Sequence, residues 1–369
     1  TVRGPERKAR PMTTIRAAVC HAFGEPLTIE EVELAAPSDR SVEVTLEACA
    51  ICHSDISYAD GIWGGTLPAV YGHEAAGRIT AKGPDASGYE IGERVIATLI
   101  RSCGTCPSCA SGTPVACASP GGPAPLTLPG GGALHQAMNC GAFAEKVVVD
   151  VSQIARVPDA MPLDVASLLA CGVITGVGAV VNAAKLRPGQ DVVVIGAGGV
   201  GLNAIQGARI AGARRIVAVD MTESKLEDAR AFGATDAILA TERAPWDVLE
   251  DLIGRKADAV LVTVGAIPAY DSAPRYLAPG GRVVMVGMPA TGSVSSYEPD
   301  TFASTGQGMV GSKMGDVVLS RDIPWLADLY LQGRLKLDEL VSNRWSLDQI
   351  NEAIADTKAG NARRNVIVF

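Results

Sequence analysis

Positive charge is in short supply in this chain. Its 32 Lys and Arg are outnumbered by 40 Asp and Glu, for a net charge of −8, and that balance argues against nucleic acid as the main partner. Long apolar runs are also missing: no stretch approaches the roughly 18 residues of a membrane span, so a soluble globular chain with no membrane partner is expected. The opening "TVRGPERKAR" lacks the apolar segment of a signal peptide, and Met12 reads as a natural start. Residues 1–11 are therefore expected to be a disordered extension. With no export signal, the expected compartment is the cytoplasm, where structural disulfides are rare. Internal repeats and low-complexity tracts are absent too, and 369 residues leave room for two domains with separate cores.

Against that background one loop is crowded with thiols. "CGTCPSCASGTPVAC" places Cys103, Cys106, Cys109 and Cys117 in the spacing C-x2-C-x2-C-x7-C. Four thiolates at such spacing suit a closed, tetrahedral structural Zn²⁺ site. An iron–sulfur cluster is the rival metal, although the Cys-Pro ending is missing. A disulfide staple is the third reading, opposed by the compartment and by an odd total of nine cysteines.

A second signal is "DVVVIGAGGVG", Asp191 to Gly201. The apolar run Val192–Ile195 predicts a buried strand, followed at once by Gly196-x-Gly198-x-x-Gly201 and a small-residue helix to about Ala211. The next strand, "RRIVAVD", ends on Asp220, 19 residues after the last glycine. This is the dinucleotide fingerprint: Gly196 for the tight turn, Gly198 for pyrophosphate approach, Gly201 for helix–strand packing. Gly199 and Val200 open the helix whose N-terminus faces the phosphates. Asp220 should bind the adenosine ribose hydroxyls and repel a 2′-phosphate, which favours NAD over NADP. Further strands at 258–265 and 280–287 alternate with helices, predicting a doubly wound parallel sheet, a Rossmann domain, over 176–314.

The first half has short strands, "SVEVTLEACA", "GERVIATLI" and "AFAEKVVVD", as in a compact β-rich domain. It holds "CHSD" at 52–55 and "GHEAAG" at 72–77, and "LLACGVITGVGAV" begins at 168. Taken singly, these have plain readings as packed thiols and a satisfied core histidine. Together with the four-cysteine loop they resemble the zinc-dependent alcohol dehydrogenases of the medium-chain dehydrogenase/reductase superfamily, from Met12 to Phe369. The family pattern is a Cys in C-x-[ST]-D, a G-H-E 21 positions later, and a third Cys before the nucleotide domain.

The resemblance implies an α/β fold with two parts. A β-rich GroES-like catalytic domain spans 12–175 with the structural zinc lobe at 103–117. The NAD-binding Rossmann domain spans 176–314, and residues 315–369 return to the catalytic domain. It implies two Zn²⁺ per chain: the structural one, and a catalytic one on Cys52, His73 and Cys171, with Glu74 able to approach the metal. By the same likeness Asp55 orients His73, His53 and Arg364 contact the pyrophosphate, Val200 backs the nicotinamide, and Lys225 lies near the adenosine ribose. Ser54 takes the substrate's proton. Many relatives finish the relay with a histidine where this chain has Ser57. Cys20, Cys49 and Cys140 match no ligand position and are expected to be packed thiols.

The implied reaction is reversible hydride transfer between an alcohol and NAD. Alignment places Trp63 and Leu99 in the substrate pocket, with Phe143 as a third wall; their alternative reading is plain core packing. Leucine at 99 leaves room beside the metal, so medium-chain or aromatic primary alcohols are expected to beat ethanol. The loop 120–132 is expected to cover the mouth. Two other functions stay open: a dehydrogenase for S-hydroxymethyl thiol adducts, opposed by a loop 118–139 without Arg or Lys, and a non-catalytic zinc-binding or redox-sensing protein. A homodimer through edge strands after Gly287 is expected, with a tetramer as runner-up.

Overall fold

The computed structural model describes residues 10–119, 121–122, 124–241 and 243–369. Residues 1–9 of the expected extension, and Pro120 and Pro123 of the loop 120–132, lie outside the described residues. Arg10 and Pro11, also expected in the extension, are instead held by hydrogen bonds. Arg10 donates to Ala36 O and Ser38 Oγ, and Ala36 N–H donates to Pro11 O at 2.8 Å.

Two sheets build the first part of the chain. One runs, in spatial order, Gly132–Ala133, Leu126–Leu128, Thr28–Ala35, Met12–Cys20, Ala69–Val70, His135–Gln136. The segment 126–133, expected as part of a mouth-covering loop, is instead an edge hairpin paired to Thr28–Ala35. The other sheet runs Ile154–Arg156, Arg94–Thr98, Glu74–Lys82, Ser41–Ala50, Arg364–Val368, Val341–Ser346, with Lys146–Asp150 also on Ser41–Ala50. Residues 315–369 thus bring back two strands as well as the expected helices.

The strand Ser41–Ala50 explains how Cys52 reaches the domain boundary. Val42, Val44 and Leu46 face the core that these two sheets share, the barrel core. A register shift between Leu46 and Ala48 then reverses the parity of the strand. Beyond it Cys49 and Ile51 face the barrel core, while Ala48, Ala50 and Cys52 turn to the core shared with Cys171. Without the bulge, the period of two would send Cys52 into the barrel.

The second sheet-forming region runs Asp236–Leu239, Arg215–Asp220, Asp191–Ile195, Ala257–Val262, Leu277–Met285, Gly308–Gly311, all parallel. Numbered along the chain this is the order 3-2-1-4-5-6 of a doubly wound dinucleotide fold. Alternate residues of Asp191–Ile195 enter different cores: Val192 and Val194 one, Val193 and Ile195 the other. Covered on both faces, the strand reads as one apolar run. Both expected domain boundaries fall inside tight structure. Residue 175 is within the helix Gly172–Gly178, and 314–316 form a turn packed against it, so that a Cβ on Gly178 would lie 2.3 Å from Gly315 O.

Candidate metal and cofactor site

Cys52 sits at the N-cap of the helix His53–Ala59, and Asp55 in its first turn accepts from Cys52 N–H at 3.1 Å. The same carboxylate accepts from Gly72 N–H at 2.9 Å and holds His73 Nδ1 at 2.8 Å. Asp55 and His73 are 1% and 0% exposed, so one buried carboxylate ties both ligand-bearing segments together. Burial alone would lower the His73 ring; Asp55 overrides it and pushes the ring well up. Nδ1 is thereby committed to Asp55, and Nε2 is buried without a partner.

That orphaned nitrogen faces thiols. The ligand atoms of Cys52, His73, Glu74 and Cys171 all lie within 4.8 Å of one another, and all four residues are buried. Cys171 caps the helix Gly172–Gly178, so both thiols stand at helix N-termini, where negative charge is favoured. A hydrogen bond from Cys171 holds Cys52 well below the usual thiol value, and the same bond raises Cys171. Two sulfurs, one imidazole nitrogen and an adjacent carboxylate are a donor set that fits Zn²⁺ with a position left for an exchangeable ligand. The carboxylate–histidine arrangement also matches the way metal-binding histidines are oriented.

Glu74 is not alone behind the metal site. Its carboxylate pairs with the Arg364 guanidinium, and the two are 0% and 6% exposed. Burial pushes Glu74 up to about 7 against the pull of Arg364. Arg364 is pressed against Gly172, where a Cβ would lie 2.4 Å from its Nη1, and its Cδ packs on Gly199. Glycine directly after Cys171 is what lets the guanidinium in.

Arg364 thus joins the metal side to the glycine-rich turn. Gly196 has φ 97°, and a Cβ on Gly201 would stand 1.8 Å from Gly196 O, so the third glycine is required for helix–strand contact. The helix Gly199–Ile210 starts from Gly198, with Val200 half-buried in its first turn. Asp220 ends its strand and accepts from Ala197 N–H at 2.8 Å, Met221 N–H at 2.8 Å and Thr222 N–H at 3.1 Å. Desolvation, with Arg364 and Lys225 close by, lowers the His53 ring. Three basic residues therefore converge near a helix N-terminus, an arrangement made for phosphates. Lys225 also lies beside Gly360 on the returning segment.

The four-cysteine loop gathers as expected. Cys103, Cys106, Cys109 and Cys117 hold their sulfurs within 4.8 Å, all half-exposed. Cys106 N–H donates to Cys103 Sγ at 3.2 Å and Cys103 N–H to Cys117 Sγ at 3.3 Å. The backbone N–H groups of Thr105 and Cys106 hold Cys103 at about 5. The four loop sulfurs converge as one group rather than as separate pairs, as a single ion requires, and Cys20, Cys49 and Cys140 are buried apart from them.

The expected substrate residues separate. Trp63 stands edge-on to Tyr58, with centroids 5.1 Å apart, and its Nε1–H donates to Pro289 O at 2.9 Å across the domain boundary. Leu99 is half-buried against the shared core. Phe143 is wholly buried in the barrel core against the backbone of Gly72, behind His73. Ser54 and Ser57 are half-buried on the helix His53–Ala59. Three neighbours of the site escaped sequence reasoning: Thr175 Oγ1, 3.9 Å from Cys171 Sγ; Met314 Sδ, 3.7 Å from the same sulfur; and Pro289. Only the i+4 spacing of Thr175 from Cys171 signals any of them.

Known proteins agree with this geometry. A family model described as "Alcohol dehydrogenase GroES-like domain" matches residues 38–159, and one described as "Zinc-binding dehydrogenase" matches 199–332. The NDMA-dependent alcohol dehydrogenase of Amycolatopsis methanolica is 36% identical over 369 residues, covering 96% of this chain and 98% of that one. Among solved structures, an alcohol dehydrogenase zinc-binding domain protein from Burkholderia ambifaria superposes with a TM-score of 0.93 at 33% identity, covering 97% and 100% of the two chains. Benzyl alcohol dehydrogenase from Acinetobacter calcoaceticus superposes at 0.91 and 29%, covering 97% and 99%. The chain belongs to the zinc-dependent alcohol dehydrogenases of the medium-chain dehydrogenase/reductase superfamily. It is an oxidoreductase built for zinc and a nicotinamide cofactor.

Proposed function

We propose that this enzyme transfers hydride between medium-chain or aromatic primary alcohols and NAD, with one catalytic and one structural zinc per chain. The observation that carries the reading is the buried set Cys52, His73 and Cys171, joined through Glu74 and Arg364 to the glycine-rich turn. Bound there, zinc would act as a Lewis acid on the substrate oxygen and the nicotinamide would exchange the hydride.

The chain's own residues do the rest. His53 and Arg364 contact the pyrophosphate at the start of the helix Gly199–Ile210, and Lys225 lies near the adenosine ribose. Asp220 sets the adenosine ribose and, through its negative charge, favours NAD over NADP. Ser54 takes the alcohol's proton, and with Ser57 in place of the histidine that ends the relay in many relatives, water or buffer takes the last step. Leu99 and Trp63 shape the substrate end, with Phe143 supporting the His73 loop from behind. Buried methylenes are worth about 0.8 kcal/mol each, so two or three should favour longer alcohols at least ~10-fold in kcat/KM. The Acinetobacter relative, named for benzyl alcohol, supports the aromatic end of that range.

The same proposal includes a homodimer. Gly308–Gly311 is the edge of the cofactor sheet, and Met309 on it is exposed, as are Val294 and Tyr297 earlier in the chain.

The deciding assay follows NADH formation across ethanol to hexanol and benzyl alcohol, repeated with NADP and with NDMA as acceptor. Faster turnover of hexanol and benzyl alcohol than of ethanol, with NAD, supports the proposal. A flat alcohol profile overturns the substrate assignment. Turnover only with NDMA, the compound in the Amycolatopsis relative's name, overturns NAD as the turnover acceptor.

A further inference from the structure

The four-cysteine loop has one feature that holding a metal does not account for. Of residues 103–117, all of them described, Val115 alone is buried, at 5% exposed. Its side chain joins the core that holds Cys171, Met314 and Val317, and not a core of the loop's own. Val115 is also tied to the cysteines. It sits in the short turn Pro114–Ala116, closed by Cys117 N–H on Pro114 O at 3.1 Å, and Cys103 N–H donates to Cys117 Sγ at 3.3 Å. An ion held by the four sulfurs therefore fixes where Val115 stands.

The turn Pro114–Ala116 lies against the turn Met314–Asp316. Met314, Gly315 and Asp316 all hold left-handed φ, at 51°, 67° and 49°. Two non-glycine residues keep that conformation only when their surroundings impose it. One support comes from the helix side. Asn182 Nδ2 donates to Gly315 O at 3.0 Å, and Gly178 admits that carbonyl because it has no Cβ. A second is the turn of the cysteine loop. What this conformation delivers is the Met314 thioether, its Sδ 3.7 Å from Cys171 Sγ and 3.8 Å from Thr175 Oγ1.

We propose that Val115 is a positioning residue for the catalytic centre: through the turn Met314–Asp316 it keeps Met314 against Cys171, and so couples the four-cysteine loop to the metal site at Cys52, His73 and Cys171. This rests on the two-zinc reading of the chain. The coupling is one of packing and not of charge. Close-packed side chains transmit a displacement because they have little free volume to absorb it. Val115→Ala removes two methyl groups beside a strained turn. Met314, unbranched and adaptable, then shifts into the space, and Cys171 loses the neighbour that confines its sulfur.

Chelator titration of the two-zinc enzyme tests this, with metal-free thiols alkylated by iodoacetamide and read peptide by peptide. Val115→Ala should expose Cys52 and Cys171 at about 10-fold lower chelator than the wild type, near the lower end for groups that support metal ligands from behind. The four loop cysteines should stay protected. Met314→Ala, which leaves the loop intact, should show the same shift. The double variant should go no further than Met314→Ala alone, because both changes act on one path. Buried Cys20, Cys49 and Cys140 report general unfolding, which a merely structural role would bring about; their labelling together with Cys171 would overturn the proposal. Cys171 protected as in the wild type in either single variant, or additive shifts in the double, would overturn it too. A wild type that holds no zinc at Cys52 and Cys171 would overturn the two-zinc reading and this role with it.

Discussion

Replacing Asp55 by Asn changes one atom's chemistry and almost nothing of its size, yet three contacts depend on that atom pair. The carboxylate accepts from Cys52 N–H at 3.1 Å on one oxygen, and meets Gly72 N–H at 2.9 Å and His73 Nδ1 at 2.8 Å on the other. An amide has a single oxygen. If that oxygen faces Gly72 and His73, the new NH2 opposes the Cys52 N–H, donor against donor. If it faces Cys52, the NH2 opposes Gly72 N–H and drives His73 to accept at Nδ1, which puts the ring proton on Nε2 and blocks the metal ligand. Either way one charge-assisted bond is lost in a buried place, a cost of about 1–3 kcal/mol, or roughly 2–10 °C in Tm. Zinc affinity at this site should fall about 10- to 100-fold, as for other groups that orient metal-binding histidines. Metal content after dialysis against graded chelator checks this: Asp55→Asn should drop from two zinc ions toward one while the four-cysteine loop keeps its own. Asp55→Ala, which orphans both N–H groups, should lose more stability still. Asp55→Asn with wild-type zinc retention and Tm would refute the assignment of Asp55 as the group that sets His73.

Cys103→Ser should remove the structural zinc and lower Tm strongly, because such a site contributes directly to folding; metal analysis still finding two zinc ions would contradict it. Asp220→Gly should weaken NAD binding about 10- to 100-fold and narrow the preference over NADP, read from the ratio of kcat/KM values. Because Asp220 also holds three backbone N–H groups, Tm must be followed alongside. Asp191 gives a pH prediction. Its burial raises the carboxyl, but Arg214 and Arg255 outweigh burial and hold it below the ordinary value. A lowered folded value contributes stability above the unfolded value of about 3.9, and that contribution is lost as pH falls through the folded one. Asp191→Asn should therefore cost about 1–3 kcal/mol near neutrality, discounted for two half-exposed arginines, and the gap should close below about pH 4. Urea titrations showing a pH-independent gap would count against it.

Local chemistry was legible in the sequence wherever residues close in the chain act together. The glycine spacing of 196–201, the acid at 220 and the cysteine spacing of 103–117 each describe a single turn or loop, and each forms as read. The candidate metal site of Cys52, His73 and Cys171 needed a family pattern, because what unites these residues is a bulge after Leu46 and the packing of two domains. Glu74 and Arg364 meet from opposite ends of the chain, and no periodicity links them. Met314 was hidden for another reason: a left-handed methionine is against its own backbone preference, so local propensity points away from the conformation it holds. The stretch 126–133 misled through composition. Its proline and three glycines suggested a loose cover, whereas Gly130 and Gly131, at φ 81° and 90°, turn a hairpin.

The pairing of Arg364–Val368 with Ser41–Ala50 has a consequence for how the protein is made. Synthesis runs from the N-terminus, and domains fold as their residues emerge. The cofactor sheet is drawn from one continuous stretch and is complete once Gly311 has appeared. The sheet carrying Cys52 and Glu74 has begun far earlier and must stand with an open edge until its last partners arrive, exposing backbone donors and acceptors meanwhile. Arg364, the counter-charge to Glu74, arrives on that same late strand. The catalytic centre is thus the final piece of the molecule to assemble, and ribosome stalling or premature release anywhere after residue 311 leaves a nucleotide-binding domain attached to an unfinished active site.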